Sequence, residues 1–306
     1  MLASTIKPFT TGSYKPEPHF AAMVDIGGRR LFATMRGEGP LVVLEPGASG
    51  GGTWGHVVEQ VAGFASVLTY DRAGVGKSDA ADVDATVDLM AADCHALLEK
   101  MDVKKPVVLV GWSLSGLSAL CHAIDYPADI AALVLVDPTP HTLYDDTSKE
   151  GRGPDLDRQV LVQRWLSHLG YGRFWGRSGI KQFLLRHTGT IVDETVLEAY
   201  LESMISIPRS PAAGELRAMK RSCQIAKTKL SNGLPDIPLI VLSASINSAN
   251  KPKVTENMIM AHKEMAAMSS QGEFRPVANG SHMMTLDRPD AIVAAIREQV
   301  QKVEDR

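Results

Sequence analysis

Cysteine is scarce, with three residues in 306: Cys94, Cys121 and Cys223. Three thiols cannot build a disulfide framework, and two of them fall within apolar helical patterns, so buried free thiols are expected. An excess of either charge is missing as well. The formal net charge of −3 argues against a nucleic-acid partner or an anionic membrane surface. No apolar run approaches the ~18 residues of a membrane span. The first twenty residues scatter Lys, Pro and Thr without the apolar core of a signal peptide, so a cytoplasmic location is expected. No His-x-x-x-His or Cys-x-x-Cys spacing occurs, and Gly50-Gly51-Gly52 lacks the Lys-Ser/Thr of a phosphate loop. Neither a metal nor a cofactor is expected. Repeats and low-complexity tracts are also absent, and the sequence leaves the oligomeric state open.

What remains is the composition of a soluble globular protein, 44% hydrophobic and 22% charged. Residues 1–18 carry three prolines and little periodicity, which predicts an extended arm. Phe20–Ile26 and Leu31–Met35, separated by Gly27-Gly28, read as a β-hairpin. A short, wholly apolar strand follows at Leu41–Leu44, with further strands at Ala65–Tyr70, Val107–Val110 and Ile130–Val136, and later at Pro238–Ser243 and Glu273–Ala278. Between them, helical spacing of apolar residues marks Trp54–Val61, Thr86–Met101, the stretch after Ser113, Val254–Met268 and Pro289–Val303. Alternation of this kind predicts a mostly parallel sheet covered on both faces, an α/β fold. Residues 139–235 interrupt it with four expected helices, Leu156–Gly170, Phe174–Arg186, Asp193–Ile207 and Ala212–Lys229. The expected organisation is a core of residues 1–138 and 236–306, with a helical cap, 139–235, inserted in it.

The densest signal is Val107-Val108-Leu109-Val110-Gly111-Trp112-Ser113-Leu114-Ser115-Gly116. Four β-formers run into a sharp turn with Ser113 at its apex and a helix behind it. The positive end of that helix favours an oxyanion beside the serine. Taken alone, the stretch also fits an ordinary βα turn with a helix-capping serine. It resembles the Gly-x-Ser-x-Gly nucleophile elbow of the α/β-hydrolase family, with Ser115 at the place of the last glycine. Tyr70-Asp71-Arg72-Ala73-Gly74-Val75-Gly76-Lys77-Ser78-Asp79 resembles the family's turn after the fourth strand, and Leu286-Asp287-Arg288-Pro289-Asp290 its C-terminal end. The three matches come in the family's order, and the likeness covers the chain from about residue 19 onward.

The resemblance implies acyl transfer by a serine, a histidine base, an acid that orients it, and an oxyanion hole. Ser113 is the nucleophile candidate. His282 is the base candidate, because it follows the last strand in the loop Ala278-Asn279-Gly280-Ser281. Most other histidines read as structural: His95 and His122 in helices, His19 and His56 near loops, His168, His187 and His262 on charged faces, while His141 follows the sixth strand and could line a pocket. The family's usual acid follows the strand Pro238–Ser243, but Ala244-Ser245-Ile246-Asn247-Ser248-Ala249-Asn250 contains no carboxylate. Asp137 closes the neighbouring sixth strand at the edge where such sheets gather their sites. Some haloalkane dehalogenases and a fungal lactonase look to carry their acid there, so Asp137 is expected in that role, against a plain Asp-Pro turn. The backbone N–H of Leu114 and that of Ala48 are the expected oxyanion donors. Glu45 and Arg72 end neighbouring strands, which suggests an ion pair supporting the loop.

A serine rather than an aspartate nucleophile points to hydrolysis of an ester or lactone. Trp112, Trp165, Phe174 and Met283 are the candidate substrate contacts. If they line the site, the substrate is bulky and apolar. The same fold hosts C–C bond hydrolases and slow-turnover ligand receptors, and both stay open as alternatives.

Overall fold

The computed structural model describes residues 18–47, 51–80, 83–145, 212–245 and 252–305. The arm before Pro18 and three of the expected helices, Leu156–Gly170, Phe174–Arg186 and Asp193–Ile207, lie outside those residues.

Eight strands form one sheet: β1 (Phe20–Asp25), β2 (Arg30–Arg36), β3 (Leu41–Glu45), β4 (Ser66–Tyr70), β5 (Val107–Trp112), β6 (Ile130–Val136), β7 (Leu239–Ala244) and β8 (Gly272–Val277). Their order is β1-β2-β4-β3-β5-β6-β7-β8. The hairpin β1/β2 and the β2/β4 pair are antiparallel, and every other pair is parallel. The helices are α1 (Gly55–Val61), α2 (Val87–Lys100), α3 (Leu114–Asp125), α4 (Ala212–Arg217), α5 (Met219–Leu230), α6 (Pro252–Ala266), α7 (Met284–Asp287) and α8 (Pro289–Glu304), with 3-10 turns at Gly51–Trp54 and Pro127–Asp129.

The central strands are apolar throughout because both faces are covered. Val43, Leu109, Leu133, Leu135 and Val241 point into one cluster with α2, α3 and α5, while Val42, Leu44, Val110, Val134 and Leu242 meet Trp54, Val57, Ile292 and Ile296 of the opposite layer. Alternate side chains of one strand therefore feed two separate cores. No helix among the described residues is long and apolar enough to cross a membrane.

Two details differ from the expectation. The helix expected over Ala212–Lys229 is jointed at Ala218, although i to i−4 bonding runs through the joint: the Ala218 N–H reaches Gly214 O at 2.8 Å, and the Ser222 N–H reaches Ala218 O at 2.7 Å. Its second part, α5, buries Met219, Cys223, Ala226 and Leu230 in the cluster shared by α2 and α3. That helix falls within the interval expected to be cap, yet it packs on the core. Its four charged residues Lys220, Arg221, Lys227 and Lys229 gave a polar face, but Met219, Cys223, Ala226 and Leu230 recur at helical spacing and needed a partner surface.

The strand order reverses around β3, whose neighbours are β4 on one side and β5 on the other. Such a reversal opens a crevice at the C-terminal ends of the strands. Glu45-Pro46-Gly47 leaves β3 there and Ser113 leaves β5, facing each other across it.

Candidate active site

Ser113 sits between β5 and α3 with φ 58° and ψ −121°, a backbone conformation that a residue with a Cβ rarely takes. Its N–H donates to Val136 O at 3.1 Å, and its carbonyl accepts from the N–H groups of Gly116 and Thr139 at 3.0 and 2.9 Å. The turn needs very small neighbours. A Cβ on Gly111 would lie 2.4 Å from Ser115 O, and one on Gly116 would lie 2.4 Å from Pro138 Cβ. Ser115, where the resembling pattern has glycine, makes no such close approach. Its hydroxyl donates to Pro46 O and accepts from Arg72 Nη1 at 3.0 Å, joining the elbow to the loop after β3.

His282 brings Nε2 to 3.1 Å from Ser113 Oγ and Nδ1 to 2.6 Å from Asp137 Oδ2. Because Nδ1 faces a carboxylate, the proton belongs on Nδ1 and the lone pair of Nε2 faces the hydroxyl. The Asp137 side chain is 7% exposed and that of His282 48%, so the carboxylate is sealed while the imidazole is reachable. Asp137 Oδ1 accepts the Ala244 N–H at 2.9 Å. Burial works against the charge of Asp137, but the bond to His282 and that N–H outweigh it and hold the carboxyl below its ordinary range. Burial likewise disfavours the His282 cation, and the bond to Asp137 overcomes this, so its pKa lies above the usual histidine value.

Three further groups hold this arrangement. The Trp112 indole N–H donates to His282 O at 2.9 Å, with the two rings 5.8 Å apart. Asp287, from the C-terminal motif, accepts the Ser281 N–H at 3.1 Å and also its hydroxyl, anchoring the residue before the histidine. His262 is a correction to the sequence reading, because it is wholly buried rather than on a charged face. Its Nε2 lies 2.8 Å from Pro138 O, which can only accept, so Nε2 carries the proton. Nδ1 then takes the Ser243 hydroxyl at 2.8 Å. Burial holds this ring neutral by lowering its pKa, against the pull of Asp137, whose Oδ1 is 3.9 Å away. No local pattern flags this residue: it is one polar position on an otherwise amphipathic helix.

Across the crevice the expected Glu45–Arg72 pair is replaced by another. Arg72 binds Glu215 of α4 through two bonds of 2.7 and 2.6 Å, both side chains being almost fully buried. Glu45 instead accepts the Tyr70 hydroxyl at 2.6 Å. Arg72 also donates to the carbonyls of Pro46 and Gly47. Glu215 escaped the sequence reading because it is 143 residues from Arg72. The Tyr70–Asp79 motif proves to be a compact turn that presents this arginine. Its Ser78 hydroxyl donates to Asp71 O at 2.6 Å, and Gly74 and Gly76 carry φ of 78° and 55°.

Of the expected oxyanion donors, Leu114 is the first residue of α3, whose opening N–H groups lack partners within the helix, whereas Ala48 lies outside the described residues. Trp112 and Met283 are buried, 3% and 6% exposed, in the cluster beneath the site, where Trp112 also meets Trp54 edge-on. Trp165 and Phe174 lie outside the described residues. His95, His122 and Asp129 come together although no spacing announced them. Both rings contact Asp129 Oδ2, at 2.7 and 3.0 Å, and Lys105 takes Oδ1 at 2.8 Å. The carboxylate is thus filled by protein donors. As a ligand through Nε2, His122 would carry a proton on Nδ1, which is buried without a partner. The group fits a network tying α2 to α3 better than a metal site. A groove of about 810 Å³ beside Leu41, Ser66, Met101 and Val303 opens where the strands begin, at the edge opposite Ser113.

Residues 42–295 match the model of the alpha/beta hydrolase family, and the chain belongs to that family. A pimeloyl-[acyl-carrier protein] methyl ester esterase of Chromobacterium violaceum is 38% identical over 121 residues, which is 38% of this chain and 44% of that protein. The similarity therefore spans less than half the length of that relative. A thermophilic esterase from Thermogutta terrifontis superposes with a TM-score of 0.66 at 21% identity, covering 93% of this chain and 99% of its own. An epoxide hydrolase superposes equally well, with a TM-score of 0.68 at 19% identity over 93% and 98% of the two chains. At such identity the likeness is one of fold. Membership of the family, with an esterase among the relatives, leaves the choice of reaction to the site.

Proposed function

We propose that the chain is a serine hydrolase of carboxylic esters or lactones, with Ser113 as nucleophile, His282 as base and Asp137 as acid. What supports the reading is the unbroken run of contacts from the Ser113 hydroxyl through His282 to a sealed Asp137 carboxylate. The esterase named among the relatives agrees with it.

In this reading Ser113 Oγ attacks the acyl carbon while its proton passes to His282 Nε2. The carbonyl oxygen becomes an oxyanion beside the N-terminus of α3, where the N–H of Leu114 and that of Ala48 serve as donors. Asp137 balances the imidazolium through Nδ1–H. Collapse of the tetrahedral adduct expels the alkoxide, which takes the proton from Nε2. Water then repeats the sequence against the acyl-enzyme and releases the acid. The cap expected over residues 139–235, with Trp165 and Phe174, would favour a bulky, apolar acyl or alkoxy group.

The test is covalent labelling. A fluorophosphonate should add one adduct at Ser113, and Ser113→Ala should lose both the adduct and turnover of p-nitrophenyl esters. An adduct on Ser115, or label retained by the alanine variant, would overturn the assignment.

A further inference from the structure

A second buried assembly lies beside the candidate triad without touching it. Arg72 is 3% exposed and its hydrogen bonds run in two directions. On one side they reach the carbonyls of Pro46 and Gly47 and the Ser115 hydroxyl. On the other they make a two-bond pair with Glu215, itself 1% exposed. A buried cation of this kind is stable only when its charge is matched and its donors are filled. The guanidinium has the planar fork that can serve a carboxylate and backbone carbonyls together, which a lysine ammonium cannot.

The Gly47 carbonyl has a specific meaning here. A trans peptide unit is planar and points its C=O and the following N–H to opposite sides. Holding Gly47 O through Arg72 Nη2 would therefore also hold the plane of the peptide unit that leaves Gly47. Ser115, one helical step beyond the first residue of α3, ties the same loop to the elbow through Pro46 O. Both edges of the crevice are thus referred to one guanidinium.

We infer that Arg72 and Glu215 are positioning residues: Arg72 sets the backbone of the Pro46-Gly47 loop for oxyanion binding, and Glu215 holds Arg72 in that pose from α4. The catalytic half of this inference rests on the hydrolase reading above. Glu215 lies 143 residues from Arg72, so α4 reaches the loop after β3 through this buried pair. Without the pair, Arg72 keeps its charge but loses the two bonds that orient its plane.

The experiment compares wild type with Arg72→Lys and Glu215→Gln in the full chain. Glu215→Gln is nearly isosteric, so it keeps the comparison open should the lysine variant fold poorly. The first readout does not need activity. Amide hydrogen exchange of the peptide covering residues 44–54 should quicken about tenfold or more in both variants, while β5 and β6 stay protected. The second is kinetic. On a p-nitrophenyl ester, kcat should fall about 10²-fold, the loss typical of an oxyanion donor, with KM nearly unchanged. Affinity for phenylboronic acid, which forms a tetrahedral adduct on a reactive serine, should fall in step with kcat. The pH at which kcat/KM half-rises should stay put, because the His282–Asp137 bond is untouched. Unchanged exchange of residues 44–54 would overturn the inference, as would unchanged kcat in a folded variant of an active wild type. A wild type that neither hydrolyses esters nor takes the phosphonate would refute the hydrolase reading instead, with hydrogen exchange still deciding whether the clamp exists.

Discussion

Asp137 holds its carboxylate from a backbone with φ 41°, a left-handed conformation that aspartate tolerates better than most residues. The side chain then faces back along the strand ends, where Ala244 N–H and His282 Nδ1 can both reach it. Exchange of this group for an amide should separate orientation from charge. In Asp137→Asn the ring can still be held, but in the wrong tautomer and without a counter-charge, so kcat should fall about 10²–10⁴-fold while the fold survives. The pH profile carries a second sign. Asp137 raises the His282 pKa against burial, so kcat/KM of the wild type should rise through a value above that of a free histidine. Residual activity of the variant should half-rise at lower pH. A full-rate variant, or an unmoved half-rise, would remove Asp137 from the chemistry, and initial rates between pH 5 and 9 would show either.

The strand–turn–helix element around Ser113 depends on close approaches rather than on strong bonds. Gly116 faces Pro138, the residue next to the acid, with no room for a methyl group. Gly116→Ala should push the Asp137-Pro138 turn away from the elbow and lower kcat well beyond the loss in melting temperature. A variant that loses stability and activity in proportion would make the contact mere packing. Elements of this kind were legible from sequence, because strands buried on both faces are unbroken apolar runs and the turn demands small residues at set places. Ser113 and Asp137, each directly after a strand, and His282, in the loop after β8, could be singled out from sequence, and their side chains come within hydrogen-bond distance in a row. Glu215 and His262 were not legible. Their partners lie 143 and 124 residues away, and a lone polar residue on a helix gives no sign of whether it meets water or a carbonyl. The pairing of Glu45 was misjudged for a related reason. Adjacent strand ends bring Arg72 near it, but Tyr70 lies on the same strand end and offers a neutral donor, while a second carboxylate takes the cation.

For the molecule as a whole, Glu45 is the buried group that pH should address. Burial pushes its carboxyl up to about 7, with the Tyr70 hydroxyl and the Arg72 charge pulling the other way, from an ordinary value of 4.5. A folded-state pKa raised in an acid means that folding takes up a proton between those values, so stability should decline as pH rises through that window. Glu45→Gln keeps an acceptor for Tyr70 and removes the titration. Its melting temperature relative to wild type should therefore increase from pH 5 to pH 8, and a constant difference would show that Glu45 is ionised throughout. A last consequence concerns time rather than energy. His282 follows Asp137 by 145 residues and Ser113 by 169, and it reaches them from the loop behind β8, next to the edge strand of the sheet. During synthesis the serine and the carboxylate emerge close together, and the imidazole follows 145 residues after the carboxylate. On the proposed mechanism, a growing chain is inert toward esters until β8 and the loop behind it have docked, so activity reports on the folding of that side of the sheet.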